Sequence, residues 1–171
     1  MHELRIAMLG PSGVGKTSLL ASMYEQLSTT VSTTNLSLVA DAKTSAVLNE
    51  RLGELKTLTT SFSVQGGVSK TGAIAGPASL RPFQFELGER NSRPSLRLLF
   101  QDYPGGFHNP TAAPEEEKFI KDLLLKAAAI LVPIDAAALM EEPTSKGVGR
   151  WHDKINRPLQ LTDSLKMAFG T

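Results

Sequence analysis

GPSGVGKTS, residues 10–18, lies between an apolar run, LRIAML at 4–9, and a stretch in which Leu19, Leu20, Met23 and Leu27 recur at helical spacing. This predicts a buried strand, a glycine turn and a helix from Lys16 to about Leu27. From Gly10 to Thr17 the residues match G-x-x-x-x-G-K-[ST] at every fixed position. Glycines let the backbone curl until successive N–H groups point at one anion, and a helix N-terminus adds the positive end of its dipole. A lysine at position 16 reaches phosphate, and a hydroxyl at position 17 can ligate Mg2+. The competing reading is a glycine turn that joins strand to helix and holds nothing.

Outward from that stretch, STTVSTTNLS at 28–37 reads as loop, and a helix is predicted from Asp41 to Leu58 with Leu48, Leu52 and Leu55 on one face. Gly53 weakens that helix. Residues 59–80 carry four glycines without a sustained period and read as a mobile loop. RPFQFEL at 81–87 and SLRLLFQ at 95–101 form a predicted hairpin around GERNSRP. Pro114 opens a helix with EEE in its first turn and Phe119, Ile120, Leu123 and Leu124 facing inward. AAAILVPID at 127–135 reads as a further buried strand. A last helix is expected in NRPLQLTDSLKMAFG, with Leu161, Leu165 and Ala168 on one side and Gly170 past its end.

With 171 residues, 41% of them hydrophobic, the chain can bury a proper core, and one domain over 1–171 is expected. Eighteen Lys and Arg against 17 Asp and Glu leave a net charge of +1, which argues against nucleic acid or an anionic membrane as a bulk electrostatic partner. The chain has no cysteine, so no disulfide framework exists, and a reducing cytoplasm is the expected compartment. The N-terminal apolar run is short for a signal sequence, and no stretch of about 20 apolar residues predicts a membrane span.

Asp102-Tyr103-Pro104-Gly105 follows the strand LRLLFQ. As D-x-x-G it is a common turn. At the C-terminal end of a strand beside the cradle, the same carboxylate could be the second protein partner of a Mg2+ on Thr17, through water. Gly105, lacking a side chain, would let its N–H approach a terminal phosphate.

Taken together, the phosphate loop, the strand ending in D-x-x-G, a helix and then AAAILVPIDA resemble the GTPases of the translation-factor and Ras-like class of P-loop NTPases. DYPGG and ILVPIDAAAL after a long Ser/Thr/Gly-rich insertion (28–80) resemble most closely the bacterial double-GTPase-like domains. The resemblance covers about residues 3–140. It implies an α/β three-layer fold with a mostly parallel sheet and one antiparallel hairpin strand, lacking the last one or two strands. It further implies GTP or GDP with Mg2+ as ligands, slow GTP hydrolysis and a conformational switch, with a protein effector or activating partner. By the same resemblance Ser12, Gly13, Val14, Gly15, Lys16 and Thr17 cradle phosphate and Ser18 contacts the α-phosphate. Thr17 and Asp102 would hold the metal, and Gly105 and Lys16 would act at the terminal phosphate.

Three departures bear on that transfer. Asp102 lies 86 positions beyond Lys16, so the family's metal-closing threonine has no aligned position; Ser79 and Thr71 are the candidates. Gly106 stands where fast relatives carry Gln or His, and His108 is a candidate to orient water. No arginine is assignable as a finger from the sequence; Arg81, the insertion and a partner are the possible sources. The 36 residues after Asp135 contain no [NT]-K-x-D pattern to read guanine, so ATP is not excluded and a chain that stops early is the simplest account. Loss of the strands beyond 128–135 would bare that edge, blunted by Pro133, for a homodimer or for a cover drawn from 151–169. The competing functions are an ATPase or phosphotransferase on the same loop and a scaffold that binds no nucleotide. Arg81, Arg90, Arg93 and Arg97 on the hairpin are expected to solvate an exposed face.

Overall fold

In a computed structural model, the structure describes residues 1–10, 13–60, 82–102 and 114–134, with single positions at 136, 162 and 166. Among the described residues, five strands and three helices follow one another as β1 (His2–Met8), α1 (Lys16–Ser32), β2 (Leu36–Ala40), α2 (Ala42–Thr60), β3 (Phe83–Glu89), β4 (Leu96–Asp102), α3 (Pro114–Lys126) and β5 (Ala129–Leu131). The strands form one sheet in the order β2-β3-β4-β1-β5. β1 is parallel to β4, with Met8 opposite Asp102, and to β5, with Met8 opposite Leu131. β3 runs antiparallel to both β2 and β4. Four strands therefore point one way and one points back, which gives the α/β, mostly parallel sheet expected of a P-loop NTPase-like fold.

Strand alternation distributes β1 between two layers. Met8 is fully buried with Leu20 and Ala21 of α1, Leu48 of α2, Phe85 and Phe100, with Ile6 packed against them. Ala7 and Leu9 face the other way, onto Leu123 and Leu124 of α3, with Phe119 alongside. Helices α1 and α2 thus share one face of the sheet and α3 takes the opposite one. Phe85 anchors the first layer, with its ring 5.2 Å from Tyr24 and edge-on to Phe100 at 5.5 Å. Such aromatic pairs add about 0.5–1.5 kcal/mol each beyond their burial.

Several sequence expectations are corrected here. The stretch 28–37 is not loop: α1 continues to Ser32 and β2 begins at Leu36. The hydroxyls of Thr29, Thr30, Ser32, Thr33 and Thr34 each donate to a carbonyl three or four residues back, so these side chains complete the helix end. Leu19 and Leu27 are exposed, since the inward face of α1 is set by Leu20, Ala21 and Tyr24. The hairpin lies one or two residues later than expected at each strand, and β5 is shorter than 127–135. Arg90 does not merely solvate a surface: it donates to the carbonyl of Leu36 at 3.2 Å and of Ser32 at 2.5 Å, tying the end of α1 to β2. Arg97 pairs with Glu86 at 3.0 Å across the hairpin.

Residues 61–81, which include Thr71, Ser79 and Arg81, and residues 103–113, which include Gly105, Gly106 and His108, lie outside the described residues. So does most of 135–171, including the cover expected from 151–169; within it Thr162 and Lys166 are helical. Among the described residues, no helix is long and apolar enough to cross a membrane.

Candidate functional site

Two parallel neighbours, β1 and β4, end side by side, and the turn after β1 leads into α1. Gly10, Gly13 and Gly15 all adopt positive φ, at 147°, 81° and 93°. Gly15 is the N-cap of α1 in the left-handed region, a conformation that costs L side chains energy and leaves glycine unstrained. At Gly10 space is a second constraint. A Cβ there would lie 3.2 Å from Val14 Cγ1 and 3.5 Å from the carbonyl oxygen of Pro133, just beyond β5.

Lys16 and Thr17 open α1 and are both buried, at 7% and 5% exposure. The Lys16 ammonium donates to the Gly10 carbonyl at 3.0 Å and lies 3.9 Å from Asp102 Oδ1. The Thr17 hydroxyl donates to Asp102 Oδ2 at 2.7 Å, a bond across 85 residues of sequence. Asp102 reaches it because Asp102 is two residues beyond Phe100 in β4, hence on the α1/α2 face of the sheet. Of the residues singled out in the sequence, the structure brings Gly13, Val14, Gly15, Lys16, Thr17, Ser18 and Asp102 to one end of the β1/β4 pair; Ser12 lies outside the described residues.

Burial dominates the electrostatics. It pushes the Lys16 ammonium below its ordinary value, opposed by the charge of Asp102. It pushes the Asp102 carboxyl above its ordinary value, opposed in turn by the Thr17 hydroxyl, Lys16 and Arg51. Two buried ionisable groups, each shifted by burial away from its charged form, make this end of the sheet a functional-site candidate.

Arg51 escaped the sequence reading. It is 6% exposed on α2, where Thr44, Leu48 and Arg51, at i, i+4 and i+7, are the buried residues. The available signal was an arginine on the apolar face of a helix. Asp41 caps α2 by accepting from the Thr44 N–H at 2.7 Å, and the Thr44 hydroxyl accepts from the Gln84 N–H at 2.9 Å, which pins the helix to β3. Arg51 pairs with Glu54 at 2.6 Å.

The donor set suits Mg2+. A hydroxyl has one proton and two lone pairs, so Thr17 can keep donating to Asp102 while offering oxygen to a cation. Among the described residues there is no group of three or more His, Cys, Asp or Glu that could hold a metal by itself. Two hard oxygen donors match an ion that takes its remaining ligands from phosphate and water.

A family model described as double-GTPase 2 matches residues 4–167, nearly the whole chain. No curated protein and no solved structure matches the chain significantly. The protein belongs to the double-GTPase 2 family and is a GTPase-like domain.

Proposed function

We propose that the protein binds a guanine nucleotide with Mg2+ at the loop entering α1, hydrolyses GTP slowly and uses the difference between the two nucleotide states as a switch. The observation that carries this reading is the Thr17–Asp102 bond of 2.7 Å with Lys16 3.9 Å away, formed where two parallel strands end beside a helix N-terminus. Backbone N–H groups from Ser12 to Thr17 and the dipole of α1 receive the phosphates, with Ser18 at the α-phosphate. Lys16 neutralises charge between the β- and γ-phosphates, exchanging its bond to the Gly10 carbonyl for phosphate oxygen. Thr17 offers oxygen to Mg2+ directly and Asp102 through water; the ion would offset charge on the transferring phosphoryl group. Gly105 would sense the γ-phosphate, and Ser79 or Thr71 would close over the metal. Gly106 in place of a water-orienting side chain, with His108 two positions on, supports slow turnover.

Titration with fluorescent GDP, GTP, ADP and ATP, with and without Mg2+, tests the proposal. Mg2+-dependent binding that favours guanine and weakens at least about tenfold in Lys16→Ala is expected. Absence of Mg2+-dependent binding to all four nucleotides refutes it. Because residues 136–171 contain no [NT]-K-x-D pattern, an ATP-binding protein is the second reading, and a preference for ATP would establish it.

A further inference from the structure

We infer that β2 is a docking edge for a second copy of this chain, paired antiparallel about Val39 so that two sheets join into one. This edge lies opposite β5, where the sequence alone points to a dimer, and its pairing is independent of nucleotide binding.

Among the described residues, β2 ends the sheet and pairs only with β3. In an antiparallel pair, alternate residues turn both backbone groups toward the neighbouring strand. The Asn35 carbonyl accepts from the Arg90 N–H at 2.9 Å, and the Asp41 N–H donates to the Gln84 carbonyl at 3.1 Å. Odd-numbered residues therefore face β3, and Leu36, Leu38 and Ala40 face outward. The groups of Leu36 are already used: its N–H donates to the Thr34 hydroxyl at 3.1 Å and its carbonyl accepts from Arg90 at 3.2 Å. The N–H and carbonyl of Leu38 and Ala40 have no partner among the described residues. Sheet edges are ordinarily guarded by charge, proline or a bulge. Asn35 to Ala40 contains no charged residue and no proline, and its register with β3 is unbroken. Helix α2 leaves the edge uncovered, because the Thr44 hydroxyl accepts from the Gln84 N–H one strand further in.

Two open residues separated by one define the register. If Leu38 pairs with Ala40 of the second copy, and Ala40 with its Leu38, four hydrogen bonds form about a two-fold axis through Val39. A register centred on Leu38 would require the occupied groups of Leu36. On the axis Val39 meets Val39 of the second copy in a non-hydrogen-bonded pair, where Cα atoms lie about 4.5 Å apart and side chains are closest. Val39 is 58% exposed, Leu36 is 38% exposed, and Leu27, at 44%, borders Leu38 across an apolar groove on the α1 side. Both faces of the edge thus carry apolar surface that association covers. The flanking charges permit it. Ser37 comes opposite Asp41 of the second copy, a hydroxyl against a carboxylate, and Glu86, beside Val39 in the sheet, is paired with Arg97. The strand is self-complementary about Val39, as an isologous interface requires.

Sedimentation equilibrium of the full chain, at concentrations up to about 1 mM, should show the mass rising from one chain to two and no further. Val39→Lys sets like charges on the axis and should weaken the dimer at least about tenfold. Its thermal midpoint at dilution should stay near wild type, because Val39 is exposed. Val39→Glu should behave alike, and an equimolar mixture of the two variants should recover the dimer, since this register brings residue 39 against residue 39. The chain has no cysteine, so a single introduced thiol reports the geometry. With copper phenanthroline as oxidant, Val39→Cys should cross-link into a covalent dimer. Ser37→Cys should not, because its two copies would lie about 13 Å apart, beyond disulfide reach. A wild type that stays monomeric, a mass that keeps growing past two chains, a dimer indifferent to Val39→Lys, or equal cross-linking by the two thiols overturns the pairing. If the charged variants do not fold, the two thiol variants decide. None of these outcomes bears on nucleotide binding.

Discussion

Replacing Thr17 by alanine removes a hydroxyl that donates to Asp102 at 2.7 Å and a γ-methyl buried to 5% exposure. A hydrogen bond to a charged group contributes about 1.5–3 kcal/mol. The methyl group adds about 0.8 kcal/mol. The full penalty of stranding a buried carboxylate does not follow, because Lys16 remains 3.9 Å away and burial already favours the protonated form of Asp102. The expected loss in the nucleotide-free protein is therefore about 2–4 kcal/mol, or on the order of 10 °C in Tm for a chain of this size. Thr17→Ser keeps the donor and should lose only about 1 kcal/mol. Urea unfolding at neutral pH measures both, and a cycle with Asp102→Ala isolates the pair, with an expected coupling of about 1.5–3 kcal/mol. A stability for Thr17→Ala within about 0.5 kcal/mol of wild type, or equal losses for the Ala and Ser variants, would show that the bond contributes nothing and that the reasoning fails.

Leu48→Ala hollows the layer between α1, α2 and the sheet, where Leu48 is fully buried, and should cost about 3–5 kcal/mol in equilibrium unfolding. Gly15→Ala meets no neighbour within 4 Å but must adopt φ 93°, so calorimetry should show a loss of about 1–2 kcal/mol from backbone strain alone. Because burial raises the Asp102 pKa, its protonated form favours the fold: relative to Asp102→Asn, wild-type nucleotide-free protein should be most stable below the ordinary value of 3.8 and lose that advantage as pH rises through the raised value. The same shift makes the proposed Mg2+-dependent nucleotide affinity fall on acidification at a higher pH than an unperturbed aspartate would give, and a profile identical in Asp102→Asn would contradict the assignment.

The strand at 4–9, the glycine turn and the helix from Lys16 to about Leu27 could be read from the sequence because their determinants are local, whereas the last turns of α1, to Ser32, could not. Three glycines at positive φ, an apolar run before them and an apolar stripe after them lie within about thirty residues. Asp102 could be read because it closes the strand LRLLFQ and opens a D-x-x-G. β2 could not: LSLVA is five residues long at the sheet edge, with Leu38 and Ala40 as its inward pair and Val39 58% exposed. Two inward residues are too few to establish a period of two. The preceding hydroxyl-rich stretch offered loop chemistry, and only the structure shows those hydroxyls bonded to helix carbonyls. Arg51 was illegible for another reason. Its burial depends on α2 lying on the same face as α1, and nothing local to residues 42–60 specifies which face a helix takes.

The Thr17–Asp102 bond spans 85 residues, and it forms only after β1 and β4 have found their parallel register from His2↔Leu96 to Met8↔Asp102. Closing so long a loop is entropically slow, and parallel pairing gains nothing until the intervening chain has been placed. During refolding, α1 and the glycine turn can form early, whereas the carboxylate arrives with the late, non-local step. On the proposed function, Mg2+-dependent nucleotide capture would be a clock for completion of the fold: helical signal should recover first, and nucleotide capture should return only when the two strands have met.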